Sequence, residues 1–385
     1  MSSSEPTSRT RQSSQIYRFP ILPPSHYHGS PAPYAQPVEL TSFSFDGTRT
    51  LHLDDRELRY YYPPDLTSCD LSEGYDTFIQ RDDSTPDPID ALLDALVDYE
   101  KTVGDKVARK TNFVTWRGII TKILCTPYNR NEPWVLGATL WNGFNDRKVR
   151  YMNEHLTSRR KAEIESATPR HKLMTYWGYK FENLCTVSAK PSEITSPDHP
   201  ELLSRKSSVV NNNVQYCSVA KAALGKNKII IGAEVDCLSD VKPEKGENPI
   251  ERYIELKTSK VMTRDKDKIN FERYKLIKYW TQSFLIGIPR IIVGFRDDNG
   301  FVKHLKEYKT LEIPRMVRGK RNMWDANVCL NFANSFLSWL RVVIAEDDPR
   351  ASYLIRFKEP FREIEVLFMG CNGTAAVNER FLGVL

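Results

Sequence analysis

Two short segments of this chain place acids where a buried strand normally carries none. Ile229-Ile-Ile-Gly-Ala-Glu-Val-Asp236 is an apolar, β-branched run ending in two carboxylates, and Tyr253-Ile-Glu-Leu-Lys257 follows it after a polar stretch. Both read as strands. Side chains alternate along a strand, so Glu234 and Asp236 share one face while Ile229, Ile231, Ala233 and Val235 share the other. In the second segment Glu255 and Lys257 lie opposite Ile254 and Leu256. If the two strands pair, three carboxylates and one ammonium gather on one patch of sheet. Carboxylates that close raise one another's pKa. A divalent cation relieves the conflict, and hard oxygen ligands suit Mg²⁺ or Mn²⁺. Alternating charge on a single strand usually marks a solvent face. Two such strands with apolar flanks, the second ending in Glu-x-Lys, point instead to a metal site.

The order of strand with acids, strand with Glu-x-Lys and then helix follows the logic of a metal-dependent phosphodiesterase, in which one or two cations polarise phosphorus and acidify water. Asp236 is the expected bridge between two metals, with Glu182 and Glu255 on either side. Glu234 is expected to bind through water or to act on the nucleophile, and Leu256 to offer its backbone carbonyl. Lys257 positions the water or neutralises charge on a phosphoryl oxygen. Other chemistries find no support. There is no Gly-x-Ser-x-Gly, no Walker loop, no Gly-x-Gly-x-x-Gly and no His-Glu-x-x-His. The seven cysteines are scattered without a Cys-x-x-Cys, which argues against structural zinc and a disulfide scaffold and fits a reducing compartment.

The elements that must hold these residues are legible around them. Residues 1–36, rich in Ser, Pro, Tyr and His, read as a flexible N-terminal arm, and 37–385 as a single catalytic domain. Asp87-Pro88 is expected to cap a helix with the stripe Ile89, Leu92, Leu96, Tyr99. Thr115-Trp-Arg-Gly118 leads into another helix through Ile119, Ile120, Ile123 and Leu124. Trp134–Trp141 and Lys148–Met152 read as a hairpin around Asn142-Gly143. A helix over His171–Thr186 buries Met174, Trp177, Phe181 and Leu184, leaving Glu182 off that stripe. A long helix over Asp267–Gly287 carries Phe271, Tyr274, Ile277, Trp280 and Phe284 and stops before Pro289. Arg290–Phe295 and Phe301–Tyr308 form strands about an Asp297–Gly300 turn, and Val328–Val343 is a further amphipathic helix. The C-terminal residues are expected to include an edge strand.

Net charge is +6 at a pI near 8.8, which permits a polyanionic substrate without demanding one. Arg205, Lys206, Lys221, Lys226 and Lys228 precede the acidic segment, and Lys260, Arg264, Lys266 and Lys268 follow Lys257. No apolar run is long enough to span a bilayer, and the N-terminus lacks the apolar core of a secretory signal; no membrane partner is expected.

The chain resembles the Rai/DXO family of RNA 5′-end-processing enzymes, related to the PD-(D/E)xK nucleases. The resemblance covers about residues 38–345. Phe113-Val-Thr-Trp-Arg-Gly118 is similar to the first family motif and implies that Arg117 contacts a substrate phosphate. Trp177-Gly-Tyr-Lys-Phe-Glu182 implies Glu182 as a metal ligand. Gly232-Ala-Glu-Val-Asp236 and Glu255-Leu-Lys257 match the third and fourth motifs, and Gln282 matches a glutamine near the scissile phosphate. The resemblance implies an α/β fold of two twisted mixed β-sheets flanked by helices, with the site in a deep pocket between them. It also implies removal of pyrophosphate from 5′-triphosphorylated RNA, removal of incomplete or unmethylated caps and, in some members, of NAD caps. The motifs look closest to fungal nuclear members that bind and stabilise a nuclear 5′→3′ exoribonuclease, which places the chain in the nucleus. A mainly non-catalytic stabilising partner and a DNA endonuclease are the competing readings.

Overall fold

A computed structural model of the chain describes residues 15–84, 86–141, 148–244, 246–345, 348–370 and 376–381. Two mixed β-sheets organise these residues. The ten-stranded sheet runs, in spatial order, Ile16–Pro20, Glu363–Gly370, Ser352–Phe357, Trp134–Trp141, Val149–His155, Phe113–Trp116, Asn227–Glu234, Gln215–Leu224, Tyr34–Phe45 and Leu51–His52. The six-stranded sheet runs Val302–Lys309, Arg290–Arg296, Tyr253–Lys260, Cys237–Leu238, Tyr60–Tyr61 and Thr186–Val187.

Strand alternation dictates the layers. Ile229 and Ile231 join a central core with Ile291 and Val293 of the other sheet and with helices Arg117–Cys125, Leu276–Leu285 and Ala326–Val343. Ile230, on the opposite face, packs with Val114 under Leu92 and Leu96 of the Asp90–Val103 helix. Ile254, Leu256 and Ile292 face outward onto Trp177 and Phe181 of the Pro169–Leu184 helix. Two glycines permit these approaches. A Cβ on Gly232 would lie 2.9 Å from the Trp116 ring, and one on Gly294 would lie 2.4 Å from the Phe181 ring. The second seats the helix bearing Glu182 directly on the six-stranded sheet.

Several expectations change. The two acid-bearing strands do not pair: Asn227–Glu234 lies between Phe113–Trp116 and Gln215–Leu224, whereas Tyr253–Lys260 lies in the other sheet. The expected arm is anchored well before residue 36. Ile16–Pro20 pairs with Glu363–Gly370, Phe19 packs on Phe336 and Trp339, and Tyr27 packs edge-on against Phe332. Aromatic burial overrides the Ser/Pro composition there. Ile16–Pro20 is therefore an edge strand of the ten-stranded sheet, and the C-terminal Ser352–Phe357 and Glu363–Gly370 are each paired on both sides. Asp87 does not cap the following helix. Ile89 takes the cap position without a side-chain bond, and Asp87 pairs with Arg49 at 2.9 Å and Arg81 at 3.1 Å. Met174 and Tyr274 are exposed. At Tyr274 the helix makes a π turn over Phe271–Lys275, which shifts the phase of the stripe. The strands flanking Asn142-Gly143 pair antiparallel; the turn itself lies outside the described residues. Among those residues, no helix is long and apolar enough to cross a membrane.

Candidate active site

The chain changes sheets at its acids. Glu234 is the last residue of its strand, Val235 donates its N–H to Tyr216 O at 2.9 Å, and Cys237 already pairs with Ile254 of the six-stranded sheet. Asp236 sits at this crossing. Its Oδ2 accepts the Leu256 N–H at 2.6 Å, so the neighbouring sheet orients it. Because Phe113–Trp116 runs parallel to Asn227–Glu234 with Trp116 opposite Gly232, the next residue, Arg117, emerges at the same end of the sheet as Glu234. Arg117 opens a helix and donates from Nη1 to Glu255 Oε2 at 2.9 Å. Lys257, on the same strand face as Glu255, holds Nζ 2.5 Å from Glu255 Oε1 and 3.9 Å from Asp236 Oδ2. Glu182 comes from the last turn of the Pro169–Leu184 helix.

Glu182, Glu234 and Asp236 line one cavity of about 180 Å³ together with Arg59, Tyr179 and Asn212. Glu234 and Gln215 also line an adjoining cavity of about 370 Å³ with Arg49, Arg81, Trp116 and Arg160, so the two cavities join at these residues into one cleft. Glu255 lies behind, with its side chain wholly buried. A separate cavity of about 500 Å³ beside Trp324 and Arg318 shares no residue with this cleft.

Charge in the cluster is unbalanced. The four carboxylates stand against Arg117 and Lys257, with Arg81 drawing on Glu234 from the adjoining cavity. The titration behaviour follows. Burial, then the charges of Asp236 and Glu234, push Glu182 well above the ordinary glutamate range. Burial also raises Glu234, against the pull of Arg117 and Lys257, and lifts Asp236 to about 7 despite Lys257. Glu255 goes the other way. Burial opposes its ionisation, but Arg117 and Lys257 together hold it at about 2. Those two cations are held above their ordinary ranges in return, against burial and chiefly by Glu255. Hard oxygen donors short of positive charge suit a divalent cation. Among the described residues no three His, Cys, Asp or Glu side chains are grouped so that they could hold a metal ion as they stand. Ligation by Glu255 competes with Lys257 and Arg117.

Gln282 is not among the carboxylates. It is half-buried on the Leu276–Leu285 helix and lines a neighbouring cavity of about 230 Å³ with Thr121, Lys122 and Lys278. That cavity meets the larger one at Gly118, the residue after Arg117. Leu256 contributes its N–H, to Asp236. Arg81 and Gln215, which line the cleft beside Glu234, escaped the sequence reading. Arg81 lies outside any regular element and Gln215 is the polar first residue of a strand, and neither belongs to a motif.

The chain is similar to known proteins along most of its length. Residues 35–382 match the profile described as RAI1 like PD-(D/E)XK nuclease. A protein of Emericella nidulans named Decapping nuclease RAI1 is 40% identical over 360 residues, spanning 93% of this chain and 95% of that one. The crystal structure of Candida albicans Rai1 in complex with pU5-Mn²⁺ superimposes with a TM-score of 0.82 at 27% identity, covering 93% of this chain and 94% of that one. Scheffersomyces stipitis Rai1 in complex with (3′-NADP)⁺ and calcium ion gives 0.82 at 30% identity, covering 92% and 97%.

Proposed function

The chain belongs to the RAI1-like PD-(D/E)XK nuclease family, and from that premise we propose that it hydrolyses RNA 5′ ends, releasing pyrophosphate from 5′-triphosphorylated RNA and removing incomplete or unmethylated caps. The observation that carries this reading is a cleft lined by Glu182, Glu234 and Asp236 and backed, where the chain crosses between sheets, by the buried Glu255 with Arg117 and Lys257. Glu182, Glu234, Asp236 and Glu255, with the Leu256 carbonyl, would hold Mg²⁺ or Mn²⁺. When bound, such ions neutralise phosphoryl oxygens and lower the pKa of water.

The chain's own residues supply the rest. Arg117 places a phosphate at the mouth of its helix, where two parallel N–H groups suit an anionic oxygen. Lys257 Nζ neutralises charge developing on the phosphoryl oxygen as the water oxygen–phosphorus bond forms and the phosphorus–leaving-group bond breaks. Glu234, lining the cleft with a raised pKa, accepts the proton of the attacking water. Burial of Glu255 keeps Arg117 and Lys257 in fixed geometry, so little reorganisation is needed on reaction.

The proposal extends to NAD caps, for which the (3′-NADP)⁺ complex of the S. stipitis relative gives support. It extends also to nuclear residence and to partnership with a nuclear 5′→3′ exoribonuclease, both resting on motif resemblance to fungal nuclear members. Purified protein with Mn²⁺ and RNAs differing only at the 5′ end tests the reading, with released groups identified by mass spectrometry. Pyrophosphate and intact cap dinucleotide are the expected products. If the chain is mainly a non-catalytic stabiliser of the exoribonuclease, no 5′ group is released.

A further inference from the structure

Resting on that reading of the cleft, we infer that Lys242 and Glu39 are positioning residues that clamp the two sheets so that Glu234 and Asp236 of one meet Glu255 and Lys257 of the other. Five segments enter a polar knot beside the acids. Glu39, on Tyr34–Phe45, accepts at Oε2 from Ser218 Oγ and from the Tyr253 hydroxyl, both at 2.6 Å. Its Oε1 lies 3.4 Å from Lys242 Nζ. Lys242 also donates to the Tyr216 hydroxyl at 2.8 Å and reaches Asp55 at 2.9 Å. The Tyr216 and Tyr253 hydroxyls are 3.2 Å apart, and both rings are buried.

The membership of the knot matters. Glu39, Tyr216 and Ser218 belong to the ten-stranded sheet, and Tyr253 opens the strand of the six-stranded sheet that carries Glu255. Tyr253 lies two residues before Glu255, on the same strand face. The Tyr216 carbonyl receives the N–H of Val235, the residue between Glu234 and Asp236. Lys242 stands in the connection between Asp236 and Tyr253. The strand that leads into Glu234 and Asp236 and the strand that carries Glu255 are thus each tied to the knot within two residues of a carboxylate. Among the described residues no knot side chain hydrogen-bonds a proposed reacting group, although Tyr216 lines the same cavity as Glu182, Glu234 and Asp236. A buried polar network whose members satisfy one another fixes one arrangement of the elements it joins, and groups that orient metal ligands tune affinity without binding the ion.

The test uses the full chain with Lys242→Met, Glu39→Gln and Tyr253→Phe. Mn²⁺ affinity is measured by calorimetry, alongside Mn²⁺ dependence of pyrophosphate release and KM for 5′-triphosphorylated RNA. Mn²⁺ binding is expected to weaken about tenfold with KM for RNA unchanged, and Lys242→Arg is expected to restore most of it. Tyr253→Phe deletes one hydroxyl and leaves Glu39 with Ser218 and Lys242, so it decides the matter if Lys242→Met does not fold. Variants that bind Mn²⁺ as the wild type does overturn the clamp. A wild-type chain that takes up no Mn²⁺ overturns the reading of the cleft itself.

Discussion

Arg117 and Glu255 meet between the two sheets, Nη1 of the arginine donating to Oε2 of the glutamate at 2.9 Å. The contact joins the helix that follows a ten-stranded-sheet strand to the centre of a six-stranded-sheet strand. Glu255 is wholly buried and shared with Lys257, so it stabilises the fold and anchors the site at once.

Glu255→Gln leaves two cations with one fewer partner and should destabilise the protein by ~3 kcal/mol in denaturant unfolding. Combined with Arg117→Met the cost should be smaller than the sum of the single variants. Strict additivity would mean the two side chains are not coupled. Because Glu255 titrates near 2 in the folded state against an ordinary value of 4.5, its contribution is complete above the ordinary glutamate range and is lost as pH falls toward 2.

Asp236 carries the opposite sign. Its folded pKa of about 7 exceeds the ordinary 3.8, so the folded state retains a proton that the unfolded chain has released. Without divalent ions, stability should therefore fall as pH rises from about 4 to about 7. Asp236→Asn should flatten that slope and raise the metal-free Tm at pH 7.5 by a few degrees, on the order of 1–3 kcal/mol. Calorimetric scans across pH check this, and a variant less stable than wild type at pH 7.5 contradicts it.

Lys257→Ala should slow pyrophosphate release by roughly 10²-fold or more. Mn²⁺ should still bind, with equal or tighter affinity, because an ammonium competing for Glu255 and Asp236 is gone. Simultaneous loss of Mn²⁺ binding would assign the lysine to holding the carboxylates together instead.

Gln282→Ala addresses a residue placed beyond the acids. It lines the cavity next to Gly118 with Lys122 and Lys278. The substitution should raise KM for RNA several-fold, about 1 kcal/mol for one lost hydrogen bond, and leave Mn²⁺ affinity unchanged. An unchanged KM removes Gln282 from the RNA path.

Much of this was legible because strand periodicity is local. Ile229, Ile231 and Ala233 do face a core opposite Glu234, and Ile254 and Leu256 do face away from Glu255, as alternation requires. What alternation cannot state is which strands become neighbours. The acids meet because the chain leaves one sheet after Glu234 and enters the other at Cys237, a tertiary event with no periodic signature. The anchoring of Phe19 and Tyr27 on the C-terminal helix is equally non-local, so composition alone made that segment read as an arm. The Glu39–Lys242 contact joins residues some two hundred positions apart and left no motif to find.

Pyrophosphate release from 5′-triphosphorylated RNA, compared between wild-type protein and Asp236→Asn at saturating Mn²⁺, bears on the whole scheme. Steady release by the wild type, with a loss on the order of 10³-fold in a variant that remains folded, is the expected result. A folded Asp236→Asn protein that releases pyrophosphate at the wild-type rate would show that the carboxylates at the sheet crossing are not the reacting centre.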